Sequence, residues 1–419
     1  MKQETGAAMK NDSFAIVLAA GEGKRMKSTI PKVMHNAAGK PLAAWTVEAA
    51  AGATGQKPVL VIGNGADKVK EYFGESVRYA VQEQQLGTGH ATMAAREYLG
   101  GEGYVLVIAG DMPLLKSETL SEIMDTAVRE ELGVCLLSAL ADDADGYGRI
   151  VRTDTGLQIV EHKDATAEEL SINEINTSVY CFKIPALLDA LNALKNNNSQ
   201  KEYYLTDCVG IICGNGWKAK AIVCADAEEC IGVNDRVQLA DVSKTLRRRV
   251  NRELMLEGAT IIDPDNTYID AGVLVGLDAV IYPGVTLEGK TVIGEEAILY
   301  PGSRIQNSTI GKGTKVQNSV ILDSQVGENS TIGPYAYLRP GSNIGSGCRV
   351  GDFVEVKNSV IKDGAKVSHL SYIGDGEIGE KTNIGCGVVF VNYDGKKKNR
   401  TTIGKNAFVG CNVNLVAPV

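Results

Sequence analysis

The sequence predicts an α/β chain in three parts. A doubly wound domain spans residues 1–234, a linker helix spans 235–258, and a parallel β-helix of hexapeptide repeats spans 259–419. Three observations predict it. Phe14 to Arg25 read FAIVLAAGEGKR, a buried strand running into a glycine-rich loop. Apolar runs and helical spacings alternate up to about residue 230. From about Ala259 the chain changes to a six-residue beat of Ile-Gly and Val-Gly pairs.

In the first part, Phe14–Leu18, Pro58–Ile62 and Tyr104–Ile108 are continuous apolar runs, as expected of strands buried on both faces. Pro41–Ala51 and His90–Leu99 between them read as helices. The alternation implies a parallel sheet with ligands at the carboxyl ends of its strands. The Gly21 loop and Gly110-Asp111 both lie at such ends. From Asp235 to Gly258, Leu239, Val242, Leu246, Val250 and Leu254 recur at helical spacing. Arg247-Arg248-Arg249 in this stretch reads as a solvated helix face. Beyond it, pairs such as Ile293-Gly294, Ile310-Gly311, Val326-Gly327 and Ile344-Gly345 set the beat, which the aliphatic residue fills inward while the glycine turns the corner. Asn392 to Arg400, NYDGKKKNR, breaks the beat and reads as a loop thrown out from a coil. The pattern stops at Val419 without a closing element, so a C-terminal truncation is expected.

Composition narrows the function. The net charge of −8 disfavours nucleic acid as a partner. The nine cysteines are odd in number and contain no CxxC pair, which points to reduced thiols and a cytoplasmic protein. No apolar run approaches the ~20 residues of a membrane helix. The start, MKQETGAAMKNDS, lacks a signal-peptide core. Aromatic residues are only 5 %, in keeping with narrow β-helical coils.

The loop Leu18-Ala19-Ala20-Gly21-Glu22-Gly23-Lys24-Arg25-Met26, with Pro31-Lys32 after it, lets backbone N–H groups face phosphate oxygens while Arg25 and Lys32 neutralise their charge. It lacks the third glycine of a dinucleotide fingerprint and the Gly-Lys-Ser/Thr of a P-loop. It resembles the signature of sugar-nucleotide pyrophosphorylases. Gln82, Gly87-Thr88-Gly89-His90, Gly110-Asp111-Met112-Pro113, Gly146-Tyr147-Gly148-Arg149, Glu161-His162-Lys163-Asp164 and Asn173 to Thr177 extend the match. With the β-helix, the chain resembles the bifunctional N-acetylglucosamine-1-phosphate uridyltransferase/glucosamine-1-phosphate acetyltransferase family from about Phe14 to its last residue.

The resemblance implies a nucleotidyltransferase domain followed by a left-handed β-helix that associates as a homotrimer. Its substrates would be UTP, N-acetylglucosamine 1-phosphate, glucosamine 1-phosphate and acetyl-CoA, and its product would feed bacterial cell-wall or glycan precursors. Leu18, Ala19, Ala20, Gly21 and Lys32 would hold the nucleotide. Gln82, Gly87 and Thr88 would read the uracil edge. Gly148, Glu161 and Asn176 would hold the sugar, and Asp111 and Asn234 would bind Mg²⁺. A carboxylate plus an amide oxygen suits Mg²⁺, which keeps waters and substrate oxygens as its other ligands. Phosphoryl transfer between two anions needs such a clamp with Lys32 and Arg25, and no protein nucleophile. Asp111 and Asn234 also read as helix N-caps. Some relatives carry a tyrosine where this chain has Ala109. His90 and His162 read as structural hydrogen-bonding groups rather than catalysts.

On the β-helix, His369 is a polar ring that a hexapeptide coil does not need. The resemblance makes it the general base that takes the amine proton during acetyl transfer. Arg339, Lys357, Tyr372 and Asn383 would bind the sugar phosphate. Asn392, Tyr393, Cys386 and Cys411 would contact acetyl-CoA. Lys396-Lys397-Lys398 read equally as a solvated loop or as phosphate contacts. The family continues for further coils that complete the acetyl-CoA pocket, so a weakened acetyl site is expected here. Two other readings stay open: a different sugar-1-phosphate nucleotidylyltransferase, and a non-catalytic regulatory subunit of the same architecture.

Overall fold

The computed structural model describes residues 13–154 and 156–419; all of the N-terminal stretch read above but Ser13 lies outside them. The chain forms two compact units that divide between Val242 and Ser243.

The first unit is built on a nine-stranded sheet. Its elements are β1 (Phe14–Leu18), α1 (Leu42–Thr54), β2 (Val59–Ile62), α2 (Ala66–Phe73), β3 (Arg78–Val81), α3 (Thr88–Ala94) and β4 (Tyr104–Ala109). Then come α4 (Ser117–Arg129), β5 (Val134–Leu140), β6 (Arg149–Thr153), β7 (Gly156–Val160), β8 (Glu174–Lys183), α5 (Ile184–Ala193), α6 (Asp207–Gly214) and β9 (Ala219–Val223). The main order is β9-β5-β8-β4-β1-β2-β3, with β6 paired to β8 and β7 to β6. Strand residues alternate between two apolar layers. Val17, Leu60, Ile62, Leu106 and Ile108 pack on the α1/α4 side. Ile16, Val59, Val61, Val105 and Val107 pack on the α3/α5/α6 side. Burial on both faces explains the unbroken apolar runs.

The expected all-parallel sheet needs one correction. β1, β2, β3 and β4 run parallel, but β8 is antiparallel to both β4 and β5. The excursion through the antiparallel β6–β7 hairpin returns the chain at the end of the sheet where β5 finished, and Glu174 at the start of β8 pairs with Leu140 at the end of β5. The segment between β7 and β8, with its short helix Ala167–Leu170, does not carry the chain back to the other end, so β8 runs antiparallel to β5.

A helix, α7 (Arg236–Leu256), carries the division between the units. Asp235 caps it, its Oδ1 accepting the N–H groups of Val237 and Gln238. The cap is therefore Asp235, not Asn234, whose own N–H donates to Gln238 Oε1. The arginine run is not a purely solvated face. The Arg247 guanidinium lies over the Tyr268 ring at 4.5 Å, and Arg248 pairs with Asp265 at 2.7 Å.

The second unit is a stack of three-strand coils. Its strands form three parallel sheets of nine, nine and eight members, each strand pairing with the third one after it. Equivalent aliphatic residues stack: Leu299 pairs with Val316, Ile305 with Ile321, Ile310 with Val326. Hydroxyls inside the corners pass hydrogen bonds between coils, as where Ser324 N–H donates to Ser308 Oγ at 3.0 Å. The beat glycines have another reason than the one expected. Gly333 has φ of 97°, but Gly294, Gly311, Gly327 and Gly345 do not have positive φ, and corner turns with positive φ fall instead on residues such as Glu296 and Asn329. A Cβ on Gly294 would lie 2.7 Å from Lys312 N, and one on Gly311 2.6 Å from Gly327 C. At Gly294, Gly311, Gly327 and Gly345 glycine is required because the next coil approaches too closely for a side chain. Asn392–Arg400 does leave the stack between strands Val389–Val391 and Thr401–Ile403. A bridge between Tyr393 and Lys398 closes it.

Candidate functional site

The carboxyl ends of β1 and β4 open onto a cleft of about 560 Å³. The glycine loop leaves β1 after Leu18, and Ala19 N–H donates to Val61 O, which ties the loop to the sheet. Gly23 has φ of 63°, and a Cβ there would meet the Lys32 Cβ at 2.5 Å. Its absent side chain lets the Lys32 stem cross the loop. Leu18, Ala19, Ala20, Gly21, Arg25 and Lys32 all line the cleft.

At the end of β4, four predicted residues converge. Lys32 Nζ pairs with Asp111 Oδ2 and donates to Asn234 Oδ1 at 3.3 Å, and Arg25 Nη2 donates to the same amide oxygen at 2.9 Å. Val233 N–H donates to the Asp111 carbonyl at 2.9 Å, which brings the distant Asn234 segment here. The Asp111 carboxylate is thus engaged by Lys32 and does not cap a helix. The oxygens of Asp111 and Asn234 both face the Lys32 ammonium, and the Asn234 oxygen also faces the Arg25 guanidinium. Among the described residues no group of three or more His, Cys, Asp or Glu side chains could hold a metal.

A second cluster gathers Gly148, Glu161 and Asn176. A Cβ on Gly148 would lie 3.6 Å from both Asn176 Cβ and Glu161 Oε2. The register of β8 shifts between Asn176 and Tyr180, and Ser178 there has φ of 61°. This bulge places Tyr180 to donate to Asn176 Oδ1 at 2.9 Å. Thr206 Oγ1 donates to Glu161 Oε1 at 3.0 Å, and burial pushes the Glu161 carboxyl above its ordinary value. Sequence reading missed Thr206 and Tyr180, whose partners lie dozens of residues away or across a bulge that no spacing announces.

A third cluster surrounds the start of α3. Gln82 Nε2 donates to Gly87 O at 3.2 Å and lies 3.1 Å from His90 Nδ1. The Thr88 hydroxyl accepts from Leu205 N–H at 3.0 Å, so its oxygen braces the loop. His162 Nδ1 accepts from Gly146 N–H at 3.3 Å.

On the β-helix, His369 ends the strand Lys366–His369 and registers against Asp352 of the coil before. Its Nδ1 lies 3.8 Å from Asp352 Oδ2, and the ring is 54 % exposed. The partner is one coil earlier, a spacing the repeat itself discloses. Arg339 Nη1 pairs with Glu355 at 2.8 Å. Asn392 Nδ2 lies 3.4 Å from the Tyr372 hydroxyl and donates to Asp375 Oδ2 at 2.6 Å. Lys398, carried by the loop, faces Lys357 and lowers its pKa, with Arg339 adding to the repulsion. Arg339, Lys357, Lys398 and Asn392 thus share one side. Cys386 follows His369 on the next coil and is half-buried; Cys411 and Tyr393 are exposed. Asn383 registers with Lys366 and Phe408, and among the described residues no hydrogen bond joins its side chain to His369.

Comparison with known proteins agrees with both halves. Residues 15–201 match the family model of the MobA-like NTP transferase domain, and residues 323–358 match the bacterial transferase hexapeptide (six repeats). The chain is 52 % identical over 409 residues to the "Bifunctional protein GlmU" of Acetivibrio thermocellus, covering 97 % of this chain and 89 % of that protein. The proteins of that name from Clostridioides difficile and Caldanaerobacter subterraneus subsp. tengcongensis are 50 % and 52 % identical over the same shares.

Proposed function

This chain belongs to the GlmU family of bifunctional enzymes, and on that premise we propose which of its residues carry each reaction. The enzyme makes UDP-N-acetylglucosamine: it transfers acetyl from acetyl-CoA to glucosamine 1-phosphate, then uridylyl from UTP to N-acetylglucosamine 1-phosphate.

The observation that carries the uridylyl half is the convergence of Arg25, Lys32, Asp111 and Asn234 at the mouth of β4. A phosphate oxygen of the sugar phosphate attacks the α-phosphorus of UTP, and the bond to pyrophosphate breaks. Negative charge crowds there, and Lys32 and Arg25 neutralise it. The carboxylate of Asp111 and the amide oxygen of Asn234 would be the protein oxygens that hold Mg²⁺. Bound there, Mg²⁺ would supply Lewis-acid stabilisation of the reacting phosphates. Backbone N–H groups of the Leu18–Gly21 loop hold the triphosphate, Gln82, Gly87 and Thr88 hold the uracil, and Gly148, Glu161 and Asn176 hold the sugar.

In the acetyl half, Arg339 and Lys357 bind the acceptor phosphate, with Tyr372 and Asn383 as further contacts. The neutral His369 ring takes a proton as the amine attacks the thioester carbonyl, and the C–S bond breaks to release the CoA thiol. Asn392, Tyr393, Cys386 and Cys411 form the acetyl-CoA side. A homotrimer through the β-helix is supported by an exposed apolar column at one corner. Tyr335 and Phe353 stack with centroids 5.3 Å apart, and Tyr335, Phe353 and Leu370 are each more than half exposed at positive φ. Large apolar side chains in that strained conformation point to a surface covered by another subunit. Among the described residues no helix is long and apolar enough to cross a membrane, and we place the enzyme in the cytoplasm.

Two separate assays test the assignment: thiol release from acetyl-CoA with glucosamine 1-phosphate, and pyrophosphate release from UTP with N-acetylglucosamine 1-phosphate. Asp111→Ala should abolish the second and spare the first, and His369→Ala should do the reverse. Loss of both reactions in a folded variant, or of neither, overturns the assignment.

A further inference from the structure

Gln82 is 4 % exposed, yet it lines the nucleotide cleft. Which end of its amide faces the cleft decides what the cleft can recognise. The Gly87 carbonyl, 3.2 Å away, can only accept, so the nitrogen end of the amide must face it. The second neighbour of that nitrogen is His90 Nδ1 at 3.1 Å. An amide nitrogen carries two protons, and Nδ1 can take the second one only as the acceptor of a neutral ring protonated on Nε2. The opposite tautomer would demand the amide oxygen, and that oxygen would then confront the Gly87 carbonyl. Both N–H groups are thereby spent within the protein. Gln82 Oε1 has no donor among the described residues and is the end left for a ligand.

We propose that His90 is a positioning residue for base specificity. By accepting from Gln82, it holds the amide with its oxygen toward the nucleobase. The site then takes a pyrimidine with an N–H at ring position 3 (uracil or thymine) and rejects cytosine, which carries a lone pair there. Neighbouring groups keep His90 in place: Gly89 N–H donates to Tyr203 O at 2.8 Å, and the Tyr203 ring lies 6.4 Å from the imidazole. The proposal rests on the reading of Gln82 as a base contact.

The test is the ratio of kcat/KM for UTP to that for CTP, with N-acetylglucosamine 1-phosphate as acceptor and pyrophosphate release as the signal. dTTP serves as a control that presents the same base edge as UTP. His90→Phe keeps a ring but removes the acceptor. It should lower the UTP/CTP ratio about three- to tenfold, the worth of one hydrogen bond, and leave UTP/dTTP unchanged. His90→Asn, whose side-chain oxygen can accept from Gln82, should restore the UTP/CTP ratio toward that of the unsubstituted enzyme. If His90→Phe does not fold, His90→Leu gives the same comparison. An unchanged UTP/CTP ratio in the folded variant overturns the proposal. Gln82→Ala separates the two ways of failing. If it lowers the ratio while the His90 variants do not, the base contact stands and the role of His90 falls. If neither moves the ratio, the base contact itself has failed and the proposal with it.

Discussion

Gly374 offers a one-atom perturbation of the acetyl site. It follows Ile373 in the strand Tyr372–Gly374, and its φ is not positive, so alanine fits the backbone. A Cβ at this position would lie 2.4 Å from the Tyr372 hydroxyl oxygen and 2.6 Å from Asn392 Nδ2. Ordinary contact begins near 3.4 Å, so the hydroxyl must retreat by about 1 Å and the Asn392 amide by a similar amount. Both are ends of side chains, so the fold should lose only the lower part of the ~1–3 kcal/mol typical of overpacking. Function should suffer more, because a displacement of about 1 Å in a positioning group costs about 10²-fold in rate. Gly374→Ala should therefore lower kcat/KM for acetyl transfer to glucosamine 1-phosphate about 10²-fold. Uridylyl transfer by the same preparation, on the other unit, should be unchanged and serves as the internal control of folding. Acetyl transfer at the unsubstituted rate would refute the placement of Tyr372 and Asn392 in that site.

Asp111→Asn keeps the shape of the Lys32 contact but removes the charge, so uridylyl transfer should fall about 10²–10³-fold with acetyl transfer untouched; retention of uridylyl activity would refute the charge clamp. Glu161 gives a pH prediction. Burial raises its pKa above the ordinary 4.5, so between 4.5 and the raised value the folded chain binds more protons than the unfolded one, and stability falls as pH rises through that window. Glu161→Gln should raise Tm at pH 7, with the gain vanishing below the ordinary carboxylate range; a Tm at pH 7 no higher than that of the unsubstituted chain would refute the argument. Lys398 beside Lys357 lowers the pKa of Lys357 from 10.5, so Lys357 loses its charge earlier as pH rises. In Lys398→Ala the alkaline rise in KM for glucosamine 1-phosphate should move to higher pH, and an unmoved limb would separate Lys357 from the phosphate.

Local pattern carried much of this protein into view. The apolar runs ending at Leu18 and Ile108 gave β1 and β4, because a strand buried on both faces cannot hide its composition. The beat of Ile-Gly pairs gave the β-helix, because each coil must repeat the same inward aliphatic residue. The same beat misled about the glycines. Their cause is the backbone of the next coil, about one turn away in sequence, which a six-residue pattern does not contain. Likewise β8 betrays nothing of its direction, since alternation and length are the same for parallel and antiparallel strands.

By itself the sequence determined the residue types that the chemistry needs and the two architectures that carry them. Arg25 and Lys32 beside glycines, Asp111 after a strand, and His369 within a coil are local facts, fixed by neighbours in the chain. The tertiary structure alone decided which of them meet. Asn234 reaches Asp111 because Val233 bonds to its carbonyl, Thr206 holds Glu161, and Gln82 turns its oxygen outward because Gly87 and His90 take its two protons. Those contacts join residues distant in sequence or depend on the direction of a single hydrogen. The physical reason is that hydrogen bonds and ion pairs act over about 3 Å of space, whatever the separation along the chain.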